Sequence, residues 1–217
     1  MINFPALVIF DMAGTTVEDR GQVAEAFAGA LTANGITLSA EEITRVRGAS
    51  KREAIRALLP PWEVHRTEGI YEQFRHELAS RYASDGVQSV PGALATFQHI
   101  RARGGKVALT TGFDRDLATL LLSTIGWTRN TVDALVCGDD VVNGRPAPDL
   151  ILLAMKMTSV FDPDRVANVG DTTLDLESAA RAGVRWNIGV LSGAHRREAL
   201  QQAPHTKIIQ SVADLTF

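Results

Sequence analysis

Only one cysteine, Cys137, occurs in 217 residues, so no disulfide can form within the chain and packing must hold the fold together. It sits in the apolar run Ala134-Leu135-Val136-Cys137 and reads as a small core residue. No apolar run reaches membrane-spanning length. The N-terminus lacks the basic region, long apolar stretch and small-residue cleavage site of a signal peptide. A cytoplasmic protein that contacts no membrane is expected. Charge of one sign is lacking too: the formal net charge is −3, which argues against nucleic acid or an anionic membrane as a partner found by bulk electrostatics. A small anionic ligand is still allowed. The histidines, His65, His76, His99, His195 and His205, lack zinc-site spacing and read as surface residues. His195 alone, after Ser192-Gly193-Ala194, falls in a post-strand loop that can approach a crevice. There is no internal repeat, low-complexity segment or flexible linker.

What is present is an α/β pattern, long enough for one large domain or for a domain carrying an insert. Leu7 to Thr16 reads as a buried strand that ends in Asp11 and a Gly-Thr-Thr turn. From Thr16 to about Ser89 no strand is expected. Helices are read from Gln22 to Ala33, from Ser39 (with Glu42 completing a capping box) to Gly48, from Lys51 to Leu59 behind Ser50, and from Trp62 to Tyr82. The apolar face of the first, with Val23, Phe27, Ala30 and Leu31, has two uses, a homodimer contact or the core of the insert. From Val90 strands and helices alternate, with strands at Lys106–Thr111, Val132–Cys137, Val166–Val169, Trp186–Val190 and Lys207–Ile209. The fold class is therefore a Rossmann-like, doubly wound parallel sheet with an all-helical cap inserted after the first strand. Its core would be residues 1–15 and 90–217, and its cap residues 16–89.

Asp11 at a strand end stands where open α/β sheets place ligands. Alone it reads equally well as a turn former. Three more polar features follow strands: Thr110-Thr111-Gly112, Gly144-Arg145-Pro146-Ala147-Pro148, and Gly170-Asp171-Thr172-Thr173-Leu174-Asp175. Asp171 and Asp175 read singly as turn and helix-cap residues, and Arg145 as a surface charge. Together they supply a nucleophile, an anion binder and metal ligands at one edge of a sheet.

These four motifs, in order over the whole chain, resemble those of the haloacid dehalogenase superfamily. The resemblance implies Asp11 as the nucleophile that takes a phosphoryl group. It implies Thr111 and Arg145 as catalytic partners that bind that group, with Thr15 and Gly112 also contacting substrate. Mg²⁺ would be held by Asp11, the backbone carbonyl of Ala13, Asp171 and Asp175. Most phosphatases and mutases of the superfamily have a general-acid aspartate where this chain has Ala13. Alanine donates no proton, which argues against a mutase, since a mutase needs that acid in both directions.

Ala13 within Asp-Met-Ala-Gly-Thr-Thr-Val, Thr110-Thr111-Gly112 and Gly-Arg-Pro-Ala-Pro around Arg145 are together similar to the phosphonoacetaldehyde hydrolase family, which cleaves a carbon–phosphorus bond. That family uses a cap lysine as a Schiff base. The segment Gly48-Ala49-Ser50-Lys51-Arg52-Glu53-Ala54-Ile55 resembles the one that carries it, which implies a catalytic Lys51, with Arg47 and Arg52 as nearby cations and Arg52 as a substrate contact. Three positions depart from the family: Arg47 for its methionine, Ala54 for its histidine and Phe113 for its tyrosine. Two activities follow as expectations: cleavage of phosphonoacetaldehyde or a close analogue, or hydrolysis of a small phosphate ester with Lys51 only holding the anion. A silent binding protein that kept the fold is disfavoured by the complete motifs.

Overall fold

The computed structural model describes residues 4–39, 42, 43, 46, 48–128 and 130–217. Six parallel strands form one sheet: β1 Leu7–Asp11, β2 Lys106–Thr110, β3 Ala134–Val136, β4 Val166–Gly170, β5 Trp186–Val190 and β6 Lys207–Ile209. Their order across the sheet is β3-β2-β1-β4-β5-β6, the doubly wound Rossmann-like arrangement. All five residues of β1 are buried, as befits the centre of a parallel sheet covered on both faces. Register places Asp11 beside Thr110, so the polar ends of β1 and β2 reach one edge together.

Helix α4 Ala93–Ala102 leads into β2, and α5 Arg115–Thr124, α6 Asp149–Met157, α7 Thr173–Ala182 and α8 Arg197–Leu200 follow it. Between β1 and α4 the described elements are helical: α1 Gln22–Ala33, α2 Lys51–Leu58, a 3₁₀ turn at Pro61–Arg66 and α3 Thr67–Asp85. The chain leaves and re-enters the sheet through two adjacent strands of backbone. Glu18 N–H donates to Gln88 O at 2.9 Å, and Val90 N–H donates to Thr16 O at 2.9 Å. The apolar face of α1 is spent on α3, where the Phe27 and Phe74 rings meet edge-on at 5.9 Å. Its core use, rather than an exposed dimer face, is what this packing displays.

Three readings of the sequence are adjusted. The helix expected from Trp62 begins as a 3₁₀ turn, because Pro60 and Pro61 bring no N–H donors and Pro61 starts the turn, and only from Thr67 does an α-helix run. The strand expected over 132–137 shortens to three residues. The Asp133 carboxylate accepts from Val107 N at one end, and Cys137 N–H turns to Asp140 Oδ2 at the other. The helix expected over 39–48 lies partly outside the described residues, as does Arg47. Its capping box is present, with Ser39 N–H donating to Glu42 Oε2 at 2.8 Å and Glu42 N–H donating to Ser39 Oγ at 3.2 Å. Cys137 is fully buried, and burial pushes its thiol up to about 12, so it behaves as core.

Candidate active site

Three buried carboxylates, Asp11, Asp171 and Asp175, gather at the carboxyl edge of β1 and β4, with donor oxygens within 4.8 Å of one another. Each is put there by a local device. Asp11 ends β1, and its carbonyl accepts from Thr16 Oγ1 at 2.9 Å, which closes the turn after the strand. Asp171 follows β4. Its carboxylate accepts from Thr15 Oγ1 at 3.1 Å and from Ala194 N at 2.6 Å. Asp175 sits in the first turn of α7, where it forms a capping box with Thr172 and aims its other oxygen at Arg145.

Arg145 binds this group together. Its Nη1 donates to Asp11 Oδ1 at 2.7 Å, its Nη2 donates to Thr110 Oγ1 at 2.8 Å, and its Nε lies 2.9 Å from Asp175 Oδ1. Burial lowers the affinity of the guanidinium for its proton, but Asp175 and Asp11 outweigh that, so its pKa is raised and it stays charged. Burial also pushes the Asp11 carboxyl up to about 7, with Asp175 adding to the rise and Arg145 opposing it. Asp171 is raised well above the ordinary carboxylate range by burial and then by Asp11. When ionised, three carboxylates against one guanidinium (−3 + 1) leave two negative charges in a dry site. A divalent cation would offset that charge, and an all-oxygen donor set suits a hard one.

Backbone also shapes the cluster. A Cβ on Gly14, whose φ is +93°, would lie 2.6 Å from Asp171 Oδ2, and a Cβ on Gly193 would lie 2.1 Å from the same atom. Glycine at both places lets the two loops close on Asp171. Gly193→Ala should therefore push Asp171 out of the cluster and weaken divalent-cation binding by about tenfold or more, on the scale of lost outer-shell support. Calorimetric titration of the metal-free protein reads that loss; unchanged affinity would show that the loop yields instead.

A small cavity, about 60 Å³, opens above these residues. Asp11, Ala13, Thr111, Gly112, Arg145 and Asp171 line it from the sheet side. Phe27, Val46 and Lys51 line it from the helical side. Lys51 is buried; its Nζ donates to Val46 O at 3.1 Å and Ala49 O at 3.3 Å and lies 5.5 Å from the Phe27 ring centre. Thr15 supports Asp171 from behind. Arg52 is placed elsewhere: it pairs with Glu68 at 3.0 Å and stacks 4.4 Å from the Tyr71 ring, outside the cavity lining. His195, half-buried, accepts on Nδ1 from Thr173 N at 3.1 Å, so it braces the start of α7.

The resemblance singled out Thr111 and gave its neighbour Thr110 no role. Thr110 takes the Arg145 bond, while Thr111 Oγ1 accepts from Phe113 N at 3.1 Å and faces the cavity. Strand alternation from Asp11's register partner is the signal that distinguishes them. The Ala194 amide left no signal, since any residue but proline supplies an N–H.

The family model for haloacid dehalogenase-like hydrolases matches residues 5–183. A phosphonoacetaldehyde hydrolase of Bacteroides fragilis is 30% identical over 214 residues, covering 91% of this chain and 80% of its own. Among solved structures, a hydrolase from Pseudomonas syringae superposes with a TM-score of 0.86 at 25% identity, covering 96% of this chain and 95% of the other. A phosphonoacetaldehyde hydrolase-like protein from Oleispira antarctica superposes with a TM-score of 0.82 at 25% identity, covering 98% of this chain and 91% of the other. With its carboxylate cluster at the strand ends of a doubly wound sheet, the chain belongs to the haloacid dehalogenase-like hydrolase family and is similar to its phosphonoacetaldehyde hydrolases.

Proposed function

We propose that this hydrolase cleaves the carbon–phosphorus bond of phosphonoacetaldehyde or a close analogue, using Asp11 as nucleophile and Lys51 as the amine that activates the carbon side. The observation that carries the reading is that buried Lys51 and buried Asp11 line one cavity in which Ala13 stands where a general acid would be needed for an oxygen leaving group. A carbon leaving group does not need that acid if its electrons have somewhere to go. The neutral Lys51 amine adds to the aldehyde carbon and water departs, leaving an iminium. Asp11 then attacks phosphorus, and the carbon–phosphorus electron pair moves into the iminium as an enamine. Protonation at carbon and hydrolysis free acetaldehyde and Lys51; a second water cleaves the aspartyl-phosphate. One water is consumed overall.

Arg145 and Thr111 would bind the phosphonate oxygens, with Gly112 letting them approach closely. Mg²⁺ held by Asp11, Asp171, Asp175 and the Ala13 carbonyl would neutralise charge between nucleophile and phosphonate. Residues 16–89 act as a cap on a core of residues 1–15 and 90–217, shielding the iminium from bulk water.

The test is borohydride reduction in the presence of phosphonoacetaldehyde and Mg²⁺, with mass mapping of the product. An adduct on Lys51, and loss of phosphate release by more than about a thousandfold in Lys51→Arg, are expected. An arginine cannot form an imine, so an active variant would sink the reading.

A second reading has its own observation. Two backbone carbonyls receive Lys51 Nζ, as they would receive an ammonium kept to hold an anion. Together with Ala54 and Phe113, this favours hydrolysis of a small phosphate ester. Ester turnover without any Lys51 adduct would select it.

A further inference from the structure

Lys51 is useful only if α2 is held against the strand ends, and two contacts outside the cavity hold it there. Asp114 follows the Thr111-Gly112-Phe113 turn and is itself buried. One of its oxygens caps α5 by accepting from Leu117 N at 2.9 Å. The other receives two groups from α3: Tyr71 Oη donates at 2.9 Å, and Arg75 Nε lies 2.9 Å away. Burial, then the charge of Asp114, raises the Tyr71 pKa, so the phenol stays a donor. Over the face of the same ring lies Arg52, the residue after Lys51, 4.4 Å from the ring centre. A continuous strut thus runs from α2 through Arg52 and Tyr71 to Asp114, one residue from cavity-lining Phe113.

The second contact lies along the same seam. Gly144 N–H donates to Glu53 Oε1 at 3.4 Å, and a Cβ on Gly144 would lie 2.6 Å from Glu53 Oε2. A Cβ on Gly112 would lie 3.1 Å from Ala49 O. Residues 49–53 therefore rest on loops next to Thr111 and Arg145 at places where those loops have no side chain.

We propose that the Arg52–Tyr71–Asp114 strut is a positioning device that latches α2 over the strand ends and sets where Lys51 stands. It rests on the reading of Lys51 as a working residue. Arg52 then acts on Lys51 through the fold rather than on substrate. Tyr71 carries the latch because its hydroxyl bonds the sheet-side loop while its ring supports Arg52.

The experiment is competitive acetylation of lysines in Tyr71→Phe and in the parent protein, both loaded with Mg²⁺, with acetic anhydride and mass mapping. Lys51 is buried while Lys156 is exposed, so the Lys51-to-Lys156 labelling ratio reports exposure of Lys51, and a preserved thermal midpoint assigns that exposure to opening of the seam rather than to general unfolding. Phenylalanine keeps the ring under Arg52 and removes only the hydroxyl. Loss of one hydrogen bond to a carboxylate should raise the ratio on the order of tenfold. In the same variant kcat for phosphonoacetaldehyde should fall more than KM rises. Tyr71→Leu, which also removes the ring, should raise the ratio further. An unchanged ratio in Tyr71→Phe, with the thermal midpoint preserved, overturns the latch. A raised ratio in a protein whose parent forms no borohydride adduct would keep the latch and reject only the imine.

Discussion

If Asp11 is the nucleophile proposed, Asp11→Asn should lower turnover by roughly 10⁴-fold or more and, in the metal-free protein above pH 7, should raise the thermal midpoint. The two effects have one cause. Asp11 is buried among carboxylates, and burial pushes its pKa up to about 7 in the folded chain from the ordinary 3.8. Between those values the folded state binds more protons than the unfolded state, so stability falls as pH rises through the window. Below pH 4 both states are protonated and the penalty vanishes; above pH 7 it is complete. Asparagine removes the ionisation and the penalty, while Arg145 exchanges a charged carboxylate acceptor for a neutral amide one, which offsets part of the gain. A net gain of about 2 kcal/mol above pH 7 is expected, or roughly 4–8 °C for a chain of this size. The parent should show a declining midpoint from pH 4 to 7 with chelator present, and the variant a flatter one. Saturating Mg²⁺ should reverse their order at pH 8, because the ion would stabilise the protein that keeps the full carboxylate set more than the variant. A parent that becomes more stable as pH rises would contradict the placement of these carboxylates.

The same cluster shows what the sequence could and could not disclose. Asp11, Arg145, Asp171 and Asp175 were legible because each follows a strand, and parallel strands bring their carboxyl ends to one edge. Lys51 was reached through the resemblance of its segment to the family's lysine segment, while Ser50 marked the start of α2, where its side chain does accept from Glu53 N. Arg52 was misleading, since sequence adjacency to Lys51 says nothing about side: successive helical residues point about 100° apart. Lys51 faces the cavity, and Arg52 faces Tyr71. The pair Tyr71 and Asp114 was not legible at all. They lie 43 residues apart on elements whose contact exists only after docking, and neither belongs to a motif. Glu53 and Gly144, 91 residues apart, were hidden for the same reason. Pattern found what strand ends converge by themselves; it missed what the helical segment and the sheet make jointly.

Arg145→Met should be the most destabilising single change at the site. The guanidinium is buried and meets Asp11, Thr110 and Asp175 at once. Methionine fills much of the same space but leaves Asp11 and Asp175 with no cation between them. Breaking a buried pair from one side costs about 3–5 kcal/mol, or on the order of 10 °C in the midpoint of the metal-free protein at pH 8. Acidification should recover part of the loss, since protonating Asp11 removes the charge that Arg145 had balanced. Divalent cation should also recover more stability in the variant than in the parent, because the cluster it enters is more negative. Turnover should nevertheless stay down by about 10²–10³-fold, as the phosphoryl oxygens would lose the fork of donors proposed for them. Arg145→Lys separates charge from shape. A single ammonium restores most of the stability through Coulomb attraction, yet it cannot reach three acceptors in the plane that the guanidinium spans. If Arg145→Lys recovers stability and turnover equally, only the charge matters at this position; if stability returns and turnover lags, the fork geometry is what the reaction uses.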